Sequence, residues 1–194
     1  MKQQRPLCLA SASPRRRALL EQFGLAFEVM SPEVDETPRE GEPPEALVAR
    51  LAEAKARAAL ERFPRHAILA GDTVVALGNQ VLGKPTSPEH AARMLAQLSG
   101  KTHRVVTGYR LLDGTGGTSV GRVVTTDVTF RVLPPPWVGW YSHLPEAQDK
   151  AGAYAIQGQG GAMVSGIHGS YTNVVGLPVE SVIWDLVEQG WLSW

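Results

Sequence analysis

Three basic residues follow a Ser-Pro dipeptide near the start of the chain. In LCLASASPRRR, residues 7–17, an apolar run breaks into Ser11 and Ser13, then Pro14, then Arg15, Arg16 and Arg17. Serine caps free backbone N–H groups and proline suits the first helical position, so the stretch predicts a strand, Leu7 to Ala10, running into a helix N-terminus. Unpaired N–H groups and the positive end of the helix dipole favour an anion there, and Arg15 and Arg16 add full charges. Arg17 reads as an ordinary solvated residue. Other cations sit at turns or beside glycines, among them Lys84 in Gly83-Lys84-Pro85 and Lys150 at the head of DKAGAYAIQGQGG, residues 149–161. The chemistry this suggests is recognition of a phosphorylated small molecule.

A carboxylate is needed to turn binding into reaction. Asp72 interrupts the apolar run AILAGDTVVAL, residues 67–77. An ionised aspartate in an otherwise buried strand is costly unless it is paired, bound to metal or open to a cavity. It is the chain's best candidate for a base or metal ligand, and Gly71 before it suggests a bulge or a close backbone approach. The acidic, proline-rich stretch 31–44, SPEVDETPREGEPP, reads as a loop, and its Glu33, Asp35 and Glu36 are possible oxygen ligands for a divalent cation. Glu36 is the choice among them. Lys55 lies beside the apolar stripe Leu47, Val48, Leu51, Ala54, Ala58 and Ala59 of a long helix, where it reads either as a snorkelling surface lysine or as a phosphate contact.

The elements that position these residues follow from pattern. Pro14 to Phe23 is predicted as a helix and Ala26 to Met30 as a second strand. Gly78-Asn79 suits a hairpin turn, and Ser87-Pro88-Glu89 opens a helix with Ala91, Met94, Leu95 and Leu98 inward. Residues 102–112 and 119–132, rich in Val and Thr, flank a glycine-rich turn and read as a long hairpin. Trp137 to His143 is predicted helical, Gln157 is placed at the end of a short strand, and another strand follows around Ala162 to Ile167. Val179 to Glu188 forms the last helix, stopped by Gly190. Trp184, Trp191 and Trp194 read as packing residues.

Composition excludes several classes. The 194 residues contain 19 Lys plus Arg and 19 Asp plus Glu, so a general nucleic-acid or anionic-membrane binder is disfavoured and any anion site is local. The single cysteine, Cys8, cannot form an intramolecular disulfide and reads as a small buried hydrophobe. Five histidines lack ligand spacing for zinc. GTGGTSVG has no P-loop lysine and GQGGAM fails the dinucleotide fingerprint. No signal peptide or apolar run long enough to span a bilayer is evident, so a cytoplasmic location is expected.

Six blocks taken together, SASPRR at 11–16, PEVDE at 32–36, GDTVV at 71–75, GKP at 83–85, DKAGAYAIQG at 149–158 and VVGLP at 174–178, closely resemble the Maf family of nucleoside triphosphate pyrophosphatases. The resemblance covers nearly the whole chain. It implies a single α/β domain over 1–194 with an elongated, curved mixed sheet flanked by helices, two lobes sharing a central cleft, and commonly a homodimer. It also implies hydrolysis between the α and β phosphates, with a divalent metal, Mg²⁺ foremost and Mn²⁺ or Co²⁺ as alternatives. By that resemblance Asp72 is the proton acceptor and a metal ligand with Glu36, and Ser11, Arg15, Arg16, Lys55 and Lys84 are polar contacts. Arg15, Thr73 and Gln157 match the branch acting on dTTP and UTP. Ala54 departs from a position that is often polar in relatives. Two other readings remain: a nucleotide-binding regulator of cell division with incidental hydrolysis, and a sugar-nucleotide transferase.

Overall fold

The chain crosses over itself at its first strands. The computed structural model describes residues 1–117 and 119–194. In chain order the elements are β1 (Lys2–Gln3), β2 (Leu7–Ala10), α1 (Pro14–Glu21), β3 (Phe27–Met30), α2 (Pro44–Arg62), β4 (Ala67–Leu77), β5 (Gln80–Leu82), α3 (Pro88–Leu98), β6 (Thr102–Asp113), β7 (Ser119–Phe130), α4 (Pro135–Tyr141), α5 (Pro145–Gln148), β8 (Val164–His168), α6 (Tyr171–Val175), α7 (Val179–Glu188) and β9 (Leu192–Ser193). A seven-stranded mixed sheet has the order β3-β2-β4-β6-β7-β8, with β5 on β4, while β1 and β9 form a separate ribbon. The α/β class expected from the sequence is observed.

The residues fall into two compact units, one of 1–72, 107–124 and 176–194, the other of 73–106 and 125–175. In the first, β2 pairs in parallel with β3 on one side and β4 on the other, Ala10 lying opposite both Met30 and Ala70. The path β2-α1-β3 moves one way along the sheet and β3-α2-β4 moves back across β2. Right-handed crossovers therefore put α1 and α2 on opposite faces, and the ends of β2 and β4 become a topological switch point, where open α/β sheets bind ligands. The packing follows: Cys8, Ala10, Ile68 and Ala70 on one face meet Ala56 and Ala59 of α2. Cys8 is fully buried, and burial, helped by Glu28, pushes its thiol up to about 11.

Several expectations need adjustment. β4 runs unbroken through Gly71. The glycine serves close approach, because a Cβ there would lie 3.4 Å from the Gly108 carbonyl oxygen and 3.6 Å from Arg16 Nε. The inward stripe of α2 is Leu47, Val48, Leu51, Ala52, Lys55, Ala56 and Ala59, so Ala52 and Ala56 replace Ala54 and Ala58. Seven alanines around one helix carry too little contrast to distinguish its faces. Trp191 is buried, but Trp184 and Trp194 are 58% and 75% exposed and meet edge to face at 5.5 Å. Val179, Val182, Ile183 and Leu186 supply the inner face of α7, which turns Trp184 outward.

The second unit has its own core, in which Val75, Leu95, Val128, Phe130, Tyr141 and Tyr154 pack together. Gly78, with φ +60°, opens the two-residue turn between Leu77 and Gln80, where positive φ is needed. Gln157 lies in a turn between 3₁₀ segments Ala151–Ala153 and Gln159–Met163, not at a strand end. Small residues and glycines there leave no alternating apolar face to bury as a strand.

His103 sits in this core, 1% exposed, its Nε2 2.9 Å from the Tyr154 hydroxyl and its ring edge-on to Phe130. Burial lowers its pKa from 6.5 to about 4. The unfolded chain accepts a proton here below 6.5 that the folded chain refuses until about 4, so stability is full above this window and falls as pH drops through it. The total loss is about 3 kcal/mol. Urea unfolding of His103→Phe between these pH values should show a flatter acid limb than the parent; parallel curves would count against the assignment.

Candidate active site

The site is built in the first unit, where β2, α1, the loop after β3, α2 and β4 bring unlike charges together. Ser13 accepts a hydrogen bond from the Arg16 amide and Pro14 occupies the first turn, so α1 starts as the sequence predicts. Arg16, Leu19 and Leu20 then share the buried side, at spacings of three and four. Arg17 projects outward to Glu21 at 2.7 Å, an ordinary surface pair.

The Arg16 guanidinium is held by geometry as well as charge. Its Nε donates to the Gly176 carbonyl at 2.7 Å and its NH1 donates to Ser11 Oγ at 3.1 Å. Burial lowers its pKa from the ordinary value; the charge of Asp72 opposes that shift, Arg15 adds to it and Glu36 opposes it. A guanidinium stays protonated under such pressure. Gly176 was not predicted as a contributor, although the VVGLP block contains it. At φ +131° its backbone is in a region that favours glycine, and this conformation directs the carbonyl toward Arg16.

Lys55 is not a snorkelling residue. It is 8% exposed, on the inward side of α2, and its Nζ lies 2.7 Å from Asp72 Oδ1 and 2.6 Å from Glu36 Oε1. One ammonium therefore links a carboxylate on a strand to a carboxylate on a loop. Glu36 remains 60% exposed along its side chain, whereas Asp72 is 13% exposed. Glu53, next to Ala54, is committed elsewhere, to Arg57 and Arg110 at 2.6 Å each.

Ser11 and Arg16 are thus hydrogen-bonded to each other, and Glu36, Lys55 and Asp72 form one ion-paired cluster. The two sets lie in the first unit close enough for Asp72 and Glu36 to act electrostatically on Arg16, with Arg15 half-buried beside it. The remaining candidates belong to the second unit. Thr73 follows Asp72 in β4 and is half-buried, while Lys84 and Gln157 are exposed on loops. The Lys84 loop is fixed by Gly152, whose N–H donates to the Gly83 carbonyl at 3.1 Å. The Gln157 turn is held by Tyr141, whose hydroxyl accepts from Ala155 N at 3.1 Å, and by Glu146, which accepts from Gly160 N at 3.0 Å. Lys150 pairs with Asp149.

The chain as a whole is similar to known proteins. A family model described as Maf-like protein matches residues 6–189. The chain belongs to the Maf family. Among curated relatives, a Myxococcus xanthus protein named dTTP/UTP pyrophosphatase is 51% identical to this Maf protein over 177 residues, covering 91% of this chain and 89% of the relative. One of the same name from Moorella thermoacetica is 48% identical over 176 residues, covering 91% of each. Among solved structures, a HAM1 protein from Coxiella burnetii superposes with a TM-score of 0.55 at 15% identity, covering 95% of this chain and all of the other. That likeness concerns the fold alone.

The fork of Arg16 generates a prediction for this Maf site. Arg16→Lys keeps the charge but cannot reach both Gly176 and Ser11 with a planar fork. Binding of inorganic tripolyphosphate, measured calorimetrically, is expected to weaken about tenfold, the scale of one lost charge-assisted hydrogen bond. Unchanged affinity would show that charge alone matters.

Proposed function

We propose that this protein hydrolyses dTTP and UTP to the nucleoside monophosphate and pyrophosphate. The observation that carries the reading is the pairing of Asp72 and Glu36 on one buried ammonium, Lys55, beside the buried guanidinium of Arg16, at the switch point of β3-β2-β4. Cations in that position offset charge on a triphosphate as pyrophosphate departs. The Asp72 carboxylate, tied through one oxygen to Lys55, has a second oxygen to accept a proton from attacking water. Lys55 keeps both carboxylates oriented. The names of relatives near 50% identity support the same reaction.

A divalent cation, Mg²⁺ in the first instance, fits the donor set. Glu36 and Asp72 offer hard oxygen ligands on either side of Lys55. Among the described residues no group of three or more His, Cys, Asp or Glu side chains forms a metal cage. Mg²⁺ ordinarily uses one or two carboxylates together with substrate phosphates, so two suffice. Bound there, the ion would neutralise phosphate charge.

For the base, the imide edge of thymine or uracil presents a donor between acceptors, and the amide of Gln157 can answer both kinds. A cationic 7-methylguanine would instead suit a carboxylate and an aromatic face. Among the described residues no helix is long and apolar enough to cross a membrane. The reading places the enzyme with its nucleotide substrates in the cytoplasm. A cell-division regulator could dispense with Asp72, and its retention supports the enzyme.

Three outcomes are expected. With Mg²⁺ and dTTP or UTP, phosphorus NMR should show pyrophosphate as first product; primary orthophosphate would refute the bond assignment. Asp72→Asn should reduce kcat by 10²-fold or more, the usual scale for a lost general base, while nucleotide binding persists. Wild-type turnover in that variant would reassign the base. Gln157→Glu with Arg15→Tyr and Thr73→Gln should shift kcat/KM from dTTP and UTP toward 7-methyl-GTP by about tenfold or more. An unchanged substrate ranking would remove these residues as base readers.

A further inference from the structure

Glu36 reaches Lys55 from a segment without helix or strand, residues 31–43. An exposed acidic, proline-rich loop of this length has many alternative conformations, and ordering it costs about 1 kcal/mol or more per residue. Something must hold it near the site. Lys55 alone contacts only the tip of a largely exposed side chain.

Helix α2 supplies a second hold. Five residues before Lys55, Arg50 donates from Nε to Glu42 Oε1 at 2.7 Å and from NH2 to Glu42 Oε2 at 2.7 Å. The same NH2 donates to the Thr37 carbonyl at 3.0 Å. Glu42 Oε2 also accepts from the Arg39 amide at 3.0 Å, and Asp35 Oδ1 accepts from the Thr37 amide at 2.9 Å. The guanidinium fork thus joins two points of the loop, one directly after Glu36 and one six residues beyond it. These contacts all lie within the first unit. Along the side chain Arg50 is 21% exposed and Glu42 8% exposed, so the pair is more sheltered than an ordinary surface bridge.

We propose that Arg50, through its forked contact with Glu42 and Thr37, is a positioning residue that orders the loop carrying Glu36 and thereby sets the affinity of the site for its divalent cation. This rests on the assignment of Glu36 as an oxygen ligand. Arg50 does not touch the reacting atoms; it determines where the Glu36 backbone is held. Lys55 then orients the carboxylate. Partners behind a ligand commonly contribute 10- to 100-fold to metal affinity when they orient it.

The test uses full-length protein, with Mn²⁺ binding followed by electron paramagnetic resonance in the presence of a non-hydrolysable dTTP analogue. Hydrogen exchange of residues 35–42 is followed in parallel. Arg50→Ala and Glu42→Gln should each weaken Mn²⁺ binding about tenfold and accelerate exchange at Thr37 and Arg39. Arg50→Lys, which keeps charge but loses the fork, should behave like Arg50→Ala. Glu36→Gln should weaken Mn²⁺ binding without accelerating loop exchange. Because Arg50 acts through Glu36, the double variant Arg50→Ala/Glu36→Gln should bind Mn²⁺ no more weakly than Glu36→Gln alone. If Glu36→Gln impairs binding and Arg50→Ala does not, the positioning role is overturned while the ligand assignment stands. If Glu36→Gln binds Mn²⁺ normally, the ligand assignment fails and the proposed route through Arg50 fails with it. Strictly additive losses would also overturn the proposal.

Discussion

A lysine ammonium that is almost excluded from water requires compensation, since the effective penalty of burying an ion is several kcal/mol. Lys55 meets this constraint with two carboxylates, Asp72 on β4 and Glu36 on the loop after β3, each within 2.7 Å. The requirement links elements far apart in sequence. Helix α2 must keep Lys55 inward between Ala52 and Ala56, β4 must bring Asp72 beyond its pairing with β2, and the 31–43 loop must return over the site. A bond on one oxygen of each carboxylate leaves lone pairs for a further partner. Nearby, Arg16 is fixed by Ser11 and Gly176.

A second charged cluster obeys the same electrostatics with a different outcome. Asp185, 2% exposed, accepts from Tyr109 at 2.6 Å and from the Arg122 Nε at 2.7 Å, with Arg122 NH2 on its other oxygen. Burial, followed by the bond to Asp185, pushes the Tyr109 hydroxyl above its ordinary value, so it remains a donor. Both Asp185 oxygens are engaged by the protein. That arrangement ties α7 to the sheet. The Lys55 group differs in having one cation for two carboxylates, one of them largely exposed. Buried charge supports structure where partners satisfy every lone pair and supports chemistry where the set remains open.

Much of this was legible from residue type and spacing. Ser13-Pro14 specified the start of α1, the apolar run Leu7 to Ala10 specified β2, the short stretch ending at Met30 specified β3 to within a residue, and the cost of an aspartate inside β4 singled out Asp72. The valine-rich stretches around the Gly-rich turn became β6 and β7, and Gly190, at φ +69°, follows α7 as a helix stop. These signals are local: caps, turns and strand periodicity act over a few residues, so they persist without tertiary contacts.

The sequence by itself determined the α/β class, the charge-neutral composition, the helix start that carries Arg15 and Arg16, and the set of residues from which a phosphate site could be made. Tertiary structure decided which members of that set meet. It turned Lys55 inward on an alanine-rich helix whose faces are nearly indistinguishable in pattern, and it left Trp184 and Trp194 outside when apolar character alone suggested burial. It also recruited the Gly176 carbonyl and the Arg50–Glu42 fork, groups with no distinctive local signature. The physical reason is that an ion pair or a backbone carbonyl acts through a few ångströms of space. Residues 16 and 176 become neighbours only when the strand order and the two opposed crossovers close the intervening chain.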